Sequence, residues 1–427
     1  MEGDPVRRAA DRQVPVCAAP TGDAGVDRRA GRHRVRGHAP AAQEPLADGN
    51  SGPQDEDCLF LTIWSRSTRG RKPVIVWMTG WGIRAGAGSN FDGTAYAQQH
   101  DVVLVTINYR VNAFGYLYQP DRPGSGNCGL LDEIEALRWV RANITAFGGD
   151  PRNVTVMGQS AGGMSIGILL GTPAARGLFH RAIIQSGGAQ PTVMQQGKDA
   201  TTHATLRALG LGQDQADRLI DVPAKDLLAA TAEVNKGTEI CSEPFHPLID
   251  NVVLHTHPLN RIPADVDLLI GTCDRDYLPD PTWQSEMEFV IRYAAGDKGF
   301  DRLLQIYAES TSTGRDARMD LLGSAFVQMP SIWLAEQAHR VGARVAVHLP
   351  LRRRQLRRRH AHLLHSLHLR RTHPRAAGPR RRLRQCAASR RWHGRLFQLL
   401  RTNRQSGNSS SPSLAGVHPR QPSHHVV

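Results

Sequence analysis

The stretch NVTVMGQSAGGMSIGILL, Asn153 to Leu170, joins an apolar run, a glycine-rich turn and a second apolar run. Ser160 stands at the centre of the frame Gly158-Gln159-Ser160-Ala161-Gly162. Glycines on both sides of a serine permit a sharp strand-to-helix turn, which holds the hydroxyl out at the carboxyl edge of a sheet. The helix that follows aims its first amides and the positive end of its dipole at an oxyanion forming beside the serine. Ser160 is therefore a candidate nucleophile, with a plain turn as the alternative. A serine near neutral pH is a poor nucleophile without a base, so a histidine must be found elsewhere.

Away from this turn, short apolar runs recur in the manner of buried parallel strands. The clearest are PVIVWM (73–78), DVVLVTINY (101–109), NVTVMG (153–158), RAIIQS (181–186), VDLLIG (266–271) and ARVAVHL (343–349). Between two of them, Leu130, Ile134, Leu137, Val140 or Arg141, and Ile144 step by three and four, and Gly148-Gly149-Asp150-Pro151 ends the helix they predict. Strands alternating with helices predict an α/β fold, a mostly parallel central sheet with helices on both faces. Residues 190–263 are helix-rich with polar connections and read as a helical cap.

Composition divides the chain into three parts. Residues 1–52 contain no aromatic residue and no strand or helix period, the pattern of a poorly ordered segment. Residues 53–349 carry the α/β pattern. Residues 350–427 read as a disordered tail: from Leu351 onward there are nineteen Arg and no Lys, Asp or Glu. That tail supplies more than the whole net charge of +14, leaving −5 for the first 350 residues. The pI near 10.1 thus describes the tail. Trp392 and Phe397 are its only aromatic residues and it matches no recognition module, so no specific nucleic-acid partner is expected. Cysteines 17, 58, 128, 241, 273 and 386 lie far apart without metal spacing, which predicts free thiols and no metal site. With no signal-like N-terminus and no long apolar run, the expectation is a cytoplasmic protein without a membrane span.

Four stretches, EDCLFLTIW (56–64), TINYRVNAFGYL (106–117), GNCGLLDEIEALRWVRANITAFGGDPRNVTVMGQSAGG (126–163) and LLIGTCDRD (268–276), together resemble the type-B carboxylesterase family of α/β-hydrolases. The resemblance runs from about Asp55 to Val347 and leaves both terminal segments unmatched. It implies hydrolysis of small-molecule carboxylic esters through an acyl-enzyme, by a Ser-Glu-His triad in that chain order, without metal or organic cofactor; Asp276, where the family has Glu, is one methylene shorter. Position by position, Ser160 matches the nucleophile and Ala161 an oxyanion donor. The family's His-Gly-Gly-Gly-like loop falls on Thr79-Gly80-Trp81-Gly82, making the N–H groups of Trp81 and Gly82 the other donors. Trp81 departs from the usual glycine; its side chain is open to reading as an acyl-pocket wall or a half-buried aromatic. Gln159 stands where a glutamate is common. Asp276 matches the triad acid, with Asp274 and Asp280 close enough to be confused with it, and Ser186 matches a serine near the triad.

The histidine has no such match. After ARVAVHL the family's Gly-x-x-His-x-x-Asp/Glu-Leu-Pro-Phe context is missing, and the C-terminal part of the fold reads as incomplete. His365 lies at roughly the right distance after Asp276, but its neighbours match nothing. A change of reading frame near residue 348 explains so abrupt a shift in composition. The readings left open are an active esterase, an impaired homologue that at most binds ligands, and, least favoured, a tail that binds anionic surfaces.

Overall fold

The apolar runs do become strands, and the sheet they form switches direction next to the Ser160 turn. In the computed structural model, residues 39–40, 54–188, 198–236, 244–273, 275–276, 281–310 and 316–348 are described. The strands are β1 (Leu61–Trp64), β2 (Lys72–Met78), β3 (Val103–Ile107), β4 (Gly149–Gln159), β5 (Arg181–Gln185), β6 (Asp267–Gly271) and β7 (Val345–His348). They make one seven-stranded sheet in the order β1-β3-β2-β4-β5-β6-β7. β1 pairs antiparallel with β3, Leu61 opposite Ile107, and every other pair is parallel. The chain leaves β2 toward β3 on one side and returns to β4 on the other. The crevice beyond the carboxyl ends of β2 and β4 is the topological switch point where α/β sheets place their ligands.

Burial follows from this placement. All five residues of β3 are buried, as are Val74 to Met78 of β2, whereas all four residues of the edge strand β1 are only half-buried. Among the sequence runs, β1 had no buried-strand signature for that reason: an edge strand mixes apolar residues with Thr62 and faces solvent. β4 begins at Gly149, earlier than its apolar run, because Lys72 pairs with Gly149 before the register shifts ahead of Val74.

Three helices cover the centre of the sheet: α3 (Cys128–Asn143), α4 (Ala161–Gly171) and α9 (Met329–Arg340). They follow α1 (Thr94–His100) and α2 (Asn112–Tyr116) in chain order, with α5 (Lys198–Ala208), α6 (Ala224–Lys236), α7 (Pro281–Ser310) and α8 (Ala317–Gly323) between α4 and α9. Leu130, Ile134, Leu137 and Val140 of α3 enter the main core, as the three-and-four spacing predicts, and a left-handed Gly148 (φ 79°) ends the turn after that helix. All eleven residues of α4 are buried, so this helix is an internal strut with no solvent face. This is the α/β-hydrolase arrangement.

Residues of the segment read as a cap form a second core. Leu206, Leu219, Leu227, Val234 and Phe245 pack with Ile83, Ala113, Tyr116, Leu117, Ala161 and Met164, directly over the start of α4. One expectation is corrected: Cys128 is disulfide-bonded, while Cys58 and Cys273 are free. Sequence spacing carries no trace of a bridge between residues that only folding brings together. Among the described residues, no helix is long and apolar enough to cross a membrane.

Candidate active site

Ser160 sits where β4 ends and α4 begins, with φ 55° and ψ −126°. A serine at positive φ is strained by roughly 1–3 kcal/mol and persists only where its surroundings fix it. Here the Ser160 N–H donates to the Gln185 carbonyl at 2.9 Å, and its own carbonyl accepts from Met164 N–H at 3.0 Å. A Cβ on Gly162 would lie 2.2 Å from the Met78 carbonyl oxygen, so no side chain fits between the first turn of α4 and the end of β2. The glycine spacing is therefore a packing requirement. The first amides of α4, beginning with buried Ala161, have no partner within the helix and face the serine's side of the turn.

The loop after β2 is pressed against this elbow. A Cβ on Gly80 would come within 2.6 Å of the Gln159 carbonyl and 3.6 Å of Ser160 Cβ. Trp81, Gly82 and Ile83 then take three successive left-handed conformations, φ 73°, 66° and 64°. Trp81 thus adopts the backbone that glycine would accept freely. The loop is tied down by Arg84 N–H donating to the Trp81 carbonyl (3.1 Å), Asn112 N–H to the Ile83 carbonyl (2.8 Å) and the Tyr109 hydroxyl to the Thr79 carbonyl (2.7 Å). The Trp81 ring packs, half-buried, on a small core of Ala39, Cys58, Ala85, Tyr109 and Val111.

Asp276 follows β6 on a loop and is half-buried. Its Oδ2 accepts from the Cys273 N–H at 2.9 Å, and the Ser186 hydroxyl donates to the same carboxylate. Burial raises the carboxyl above its ordinary value, and these two donors pull it partly back. Ser186 is itself buried in a left-handed conformation (φ 52°), its N–H donating to the Gly271 carbonyl at 2.7 Å. Gln328 clamps the loop from the other side, donating to the Cys273 carbonyl (3.1 Å) while accepting from the Ser324 hydroxyl (2.7 Å). The elbow and the acid loop meet through β5: Gln185 receives Ser160, and its neighbour Ser186 holds Asp276.

Among the described residues, the side chain bonded to Asp276 is Ser186 and not a histidine. His365, Asp274 and Asp280 lie outside the described residues. His348 pairs with Gly271 at the end of β7 through its backbone.

Sequence reasoning passed over a polar group behind the elbow. Glu133 is completely buried on α3, and burial pushes its carboxyl up to about 8. The signal was present: Glu133 stands three residues after Leu130 and one before Ile134, on the face that spacing assigns to the core. Next to it, Arg110 and Asp132 form a buried ion pair, Arg110 donating from Nη2 at 2.6 Å and Nε at 2.7 Å.

Comparison with known proteins accords with this geometry. The model of the Carboxylesterase family matches residues 27–347, beginning earlier than the quoted motifs. The chain is 39% identical over 286 residues to the para-nitrobenzyl esterase of Bacillus subtilis (strain 168), covering 63% of this chain and 58% of that protein. It is 36% identical over 283 residues to the phenmedipham hydrolase of Pseudarthrobacter oxydans, covering 61% and 56%. The chain thus spans little more than half the length of these curated relatives. Its fold superposes on the crystal structure of a Geobacillus stearothermophilus carboxylesterase with a TM-score of 0.71 at 29% identity, over 86% of this chain and 80% of that one. With three quarters of its length under that model, and with the strand, elbow and helix in place, the chain belongs to the carboxylesterase family.

Proposed function

We propose that the chain hydrolyses carboxylic esters of small molecules through an acyl-enzyme on Ser160. The observation that carries this reading is the strained Ser160 at the head of a wholly buried helix, with the Gly80–Gly82 loop packed against it. In this scheme the Ser160 hydroxyl attacks the ester carbonyl, and its proton passes to a general base. The N–H groups of Ala161, Gly82 and Trp81 receive the tetrahedral oxyanion, and the alcohol leaves with the transferred proton. Water then attacks the acyl-enzyme by the same path. Asp276 orients and stabilises the protonated base, a role that needs its carboxylate form. The base is a histidine from outside the described residues, and His365 is the first position to test. The chemistry calls for no metal or organic cofactor.

The relatives' names put para-nitrobenzyl esters and phenmedipham first among the substrates to try. The decisive experiment is hydrolysis of p-nitrophenyl acetate by the purified chain and by Ser160→Ala. A burst of one p-nitrophenolate per chain followed by slower turnover, both lost in Ser160→Ala, supports the reading. Equal rates in the two proteins refute it.

A further inference from the structure

The loop after β2 is wound in a way that its own residue types oppose. Trp81 to Arg84 form a tight turn, closed by the Arg84 N–H donating to the Trp81 carbonyl at 3.1 Å. Both central residues have positive φ, 66° at Gly82 and 64° at Ile83, the sign of a type I′ turn. Gly, Asn and Asp dominate both positions of such turns. A β-branched residue in the left-handed region is an outlier, because its Cβ crowds the following carbonyl oxygen. Trp81, at φ 73°, adds a second bulky residue in the same region. Conformations of this kind persist only where the surroundings hold them.

Two grips act on Ile83. Its carbonyl accepts from the Asn112 N–H at 2.8 Å. Asn112 is itself buried and left-handed (φ 59°) at the start of α2, where its Oδ1 accepts from the Ala113 N–H at 2.7 Å. The Ile83 side chain is 1% exposed and belongs to the second core. It shares that core with Ala113 and Tyr116 of α2, Ala161 and Met164 of α4, and Leu227 and Val234 of α6 in the cap. α2 also packs against α6. The Trp81 ring sits in a different core, with Tyr109 and Val111. Gly82 is thus suspended between two side chains anchored in two separate cores.

We propose that Ile83 is a positioning residue whose side chain, held in the core that the cap shares with α4, keeps the Trp81–Gly82 turn in its left-handed shape. Cap packing is thereby coupled to the two amides offered to the oxyanion. The catalytic consequence rests on the function proposed above, while the hold on the loop does not. If Ile83 swings back to negative φ while the ends of the turn stay pinned, Gly82 and Trp81 must rotate to compensate. The peptide between those two residues carries the Gly82 N–H. A misplacement of about 1 Å costs such a site on the order of 10²-fold in rate.

The experiment compares Ile83→Val, Ile83→Gly, Ile83→Ala and Leu227→Ala with the parent chain. Ile83→Ala keeps the Cβ that strains the turn and loses most of the grip. Ile83→Gly loses the grip but accepts the turn freely. With p-nitrophenyl acetate, kcat should fall by roughly 30- to 100-fold in Ile83→Ala, several-fold in Ile83→Gly and less than about twofold in Ile83→Val, with KM little changed. A residue that merely filled the core would give the opposite order, Gly below Ala, since the larger truncation leaves the larger void. Leu227→Ala removes packing from the cap's half of the core and should lower kcat several-fold.

Trp81 supplies a readout that needs no catalysis: the emission of each protein, less that of the same protein carrying Trp81→Phe. This emission should move to longer wavelength in Ile83→Ala and Leu227→Ala, as the ring leaves its half-buried seat, and stay in place in Ile83→Val. An unshifted Trp81 in folded Ile83→Ala overturns the proposal, as does a kcat for Ile83→Gly below that of Ile83→Ala. Should Ile83→Ala not fold, the Trp81 emission of Leu227→Ala decides in the same way. A parent chain without turnover, in which Trp81 nevertheless shifts as expected, counts against the ester-hydrolase reading and supports the hold of Ile83 on the loop.

Discussion

The proposed nucleophile and the proposed acid of this site are held in different ways. Ser160 is fixed by exclusion: a Cβ on Gly162 would lie 2.2 Å from the Met78 carbonyl, and the strained turn is closed by backbone hydrogen bonds to Gln185 and Met164. Asp276 is fixed by attraction, through one backbone amide and the Ser186 hydroxyl, on a half-buried loop. The first arrangement dictates residue types at fixed spacing, and so it writes a motif. The second can be built by any donor that folding brings near, and so it leaves almost none. The same contrast implies that the two halves should break differently, the elbow by unfolding and the acid loop by loss of function in a folded protein.

The largest effect is expected on the acid side. Asp276→Asn keeps the shape of the side chain but cannot stabilise a cationic base, and kcat for p-nitrophenyl acetate should fall by roughly 10³–10⁴-fold. Circular dichroism and melting temperature should stay close to the parent values. On the elbow side, Gly162→Ala should cost about 3 kcal/mol or more, because backbone rather than a flexible side chain must give way. Thermal melting or chemical denaturation reads this directly. An Asp276→Asn protein that unfolds, or a Gly162→Ala protein that melts with the parent, breaks the contrast.

The support behind the elbow carries a pH signature of its own. The Glu133 carboxyl lies at about 8 in the folded chain against 4.5 when freely solvated. The folded state therefore holds a proton that the unfolded chain releases between those values. Stability from this group is complete below the unfolded value and falls as pH rises toward the folded one. Glu133→Gln removes that fall and should stabilise the chain by about 3 kcal/mol at pH 7, with little gain near pH 4. Denaturant midpoints at the two pH values check it.

The smallest effect belongs to Ser186→Ala. Its hydroxyl favours the carboxylate form of Asp276 against the burial that disfavours it. Without it the carboxyl rises further. Activity that needs ionised Asp276 should then lose its acid limb at a higher pH, with only a several-fold loss at the optimum. An acid limb that stays in place, measured as kcat/KM against pH, would mean that Ser186 does not tune Asp276.

How far the sequence could be read follows the same physics. The six apolar runs and the turn at Gly148 emerged as six strands and a helix end, because buried parallel strands and left-handed stops constrain composition locally. β1 was hidden by its half-buried edge position, and its stretch entered the sequence reading only as part of the family resemblance, not as a strand. Within the site, the Ser160 frame was legible from residue types, whereas Asp276 came from resemblance to a family and its link to Ser186 from folding. The buried Glu133 behind the elbow was passed over, because a single polar residue within a helix pattern does not show that it is enclosed. The one clue was a glutamate on the apolar face of α3.

Nucleophilic Ser160 is most directly tested by treating the intact chain with a fluorophosphonate and mapping the adduct by peptide mass spectrometry. A single adduct on the peptide that contains Ser160, absent in Ser160→Ala and slowed by Asp276→Asn, is the predicted result. No adduct, or an adduct on another residue with Ser160 unmodified, would contradict it.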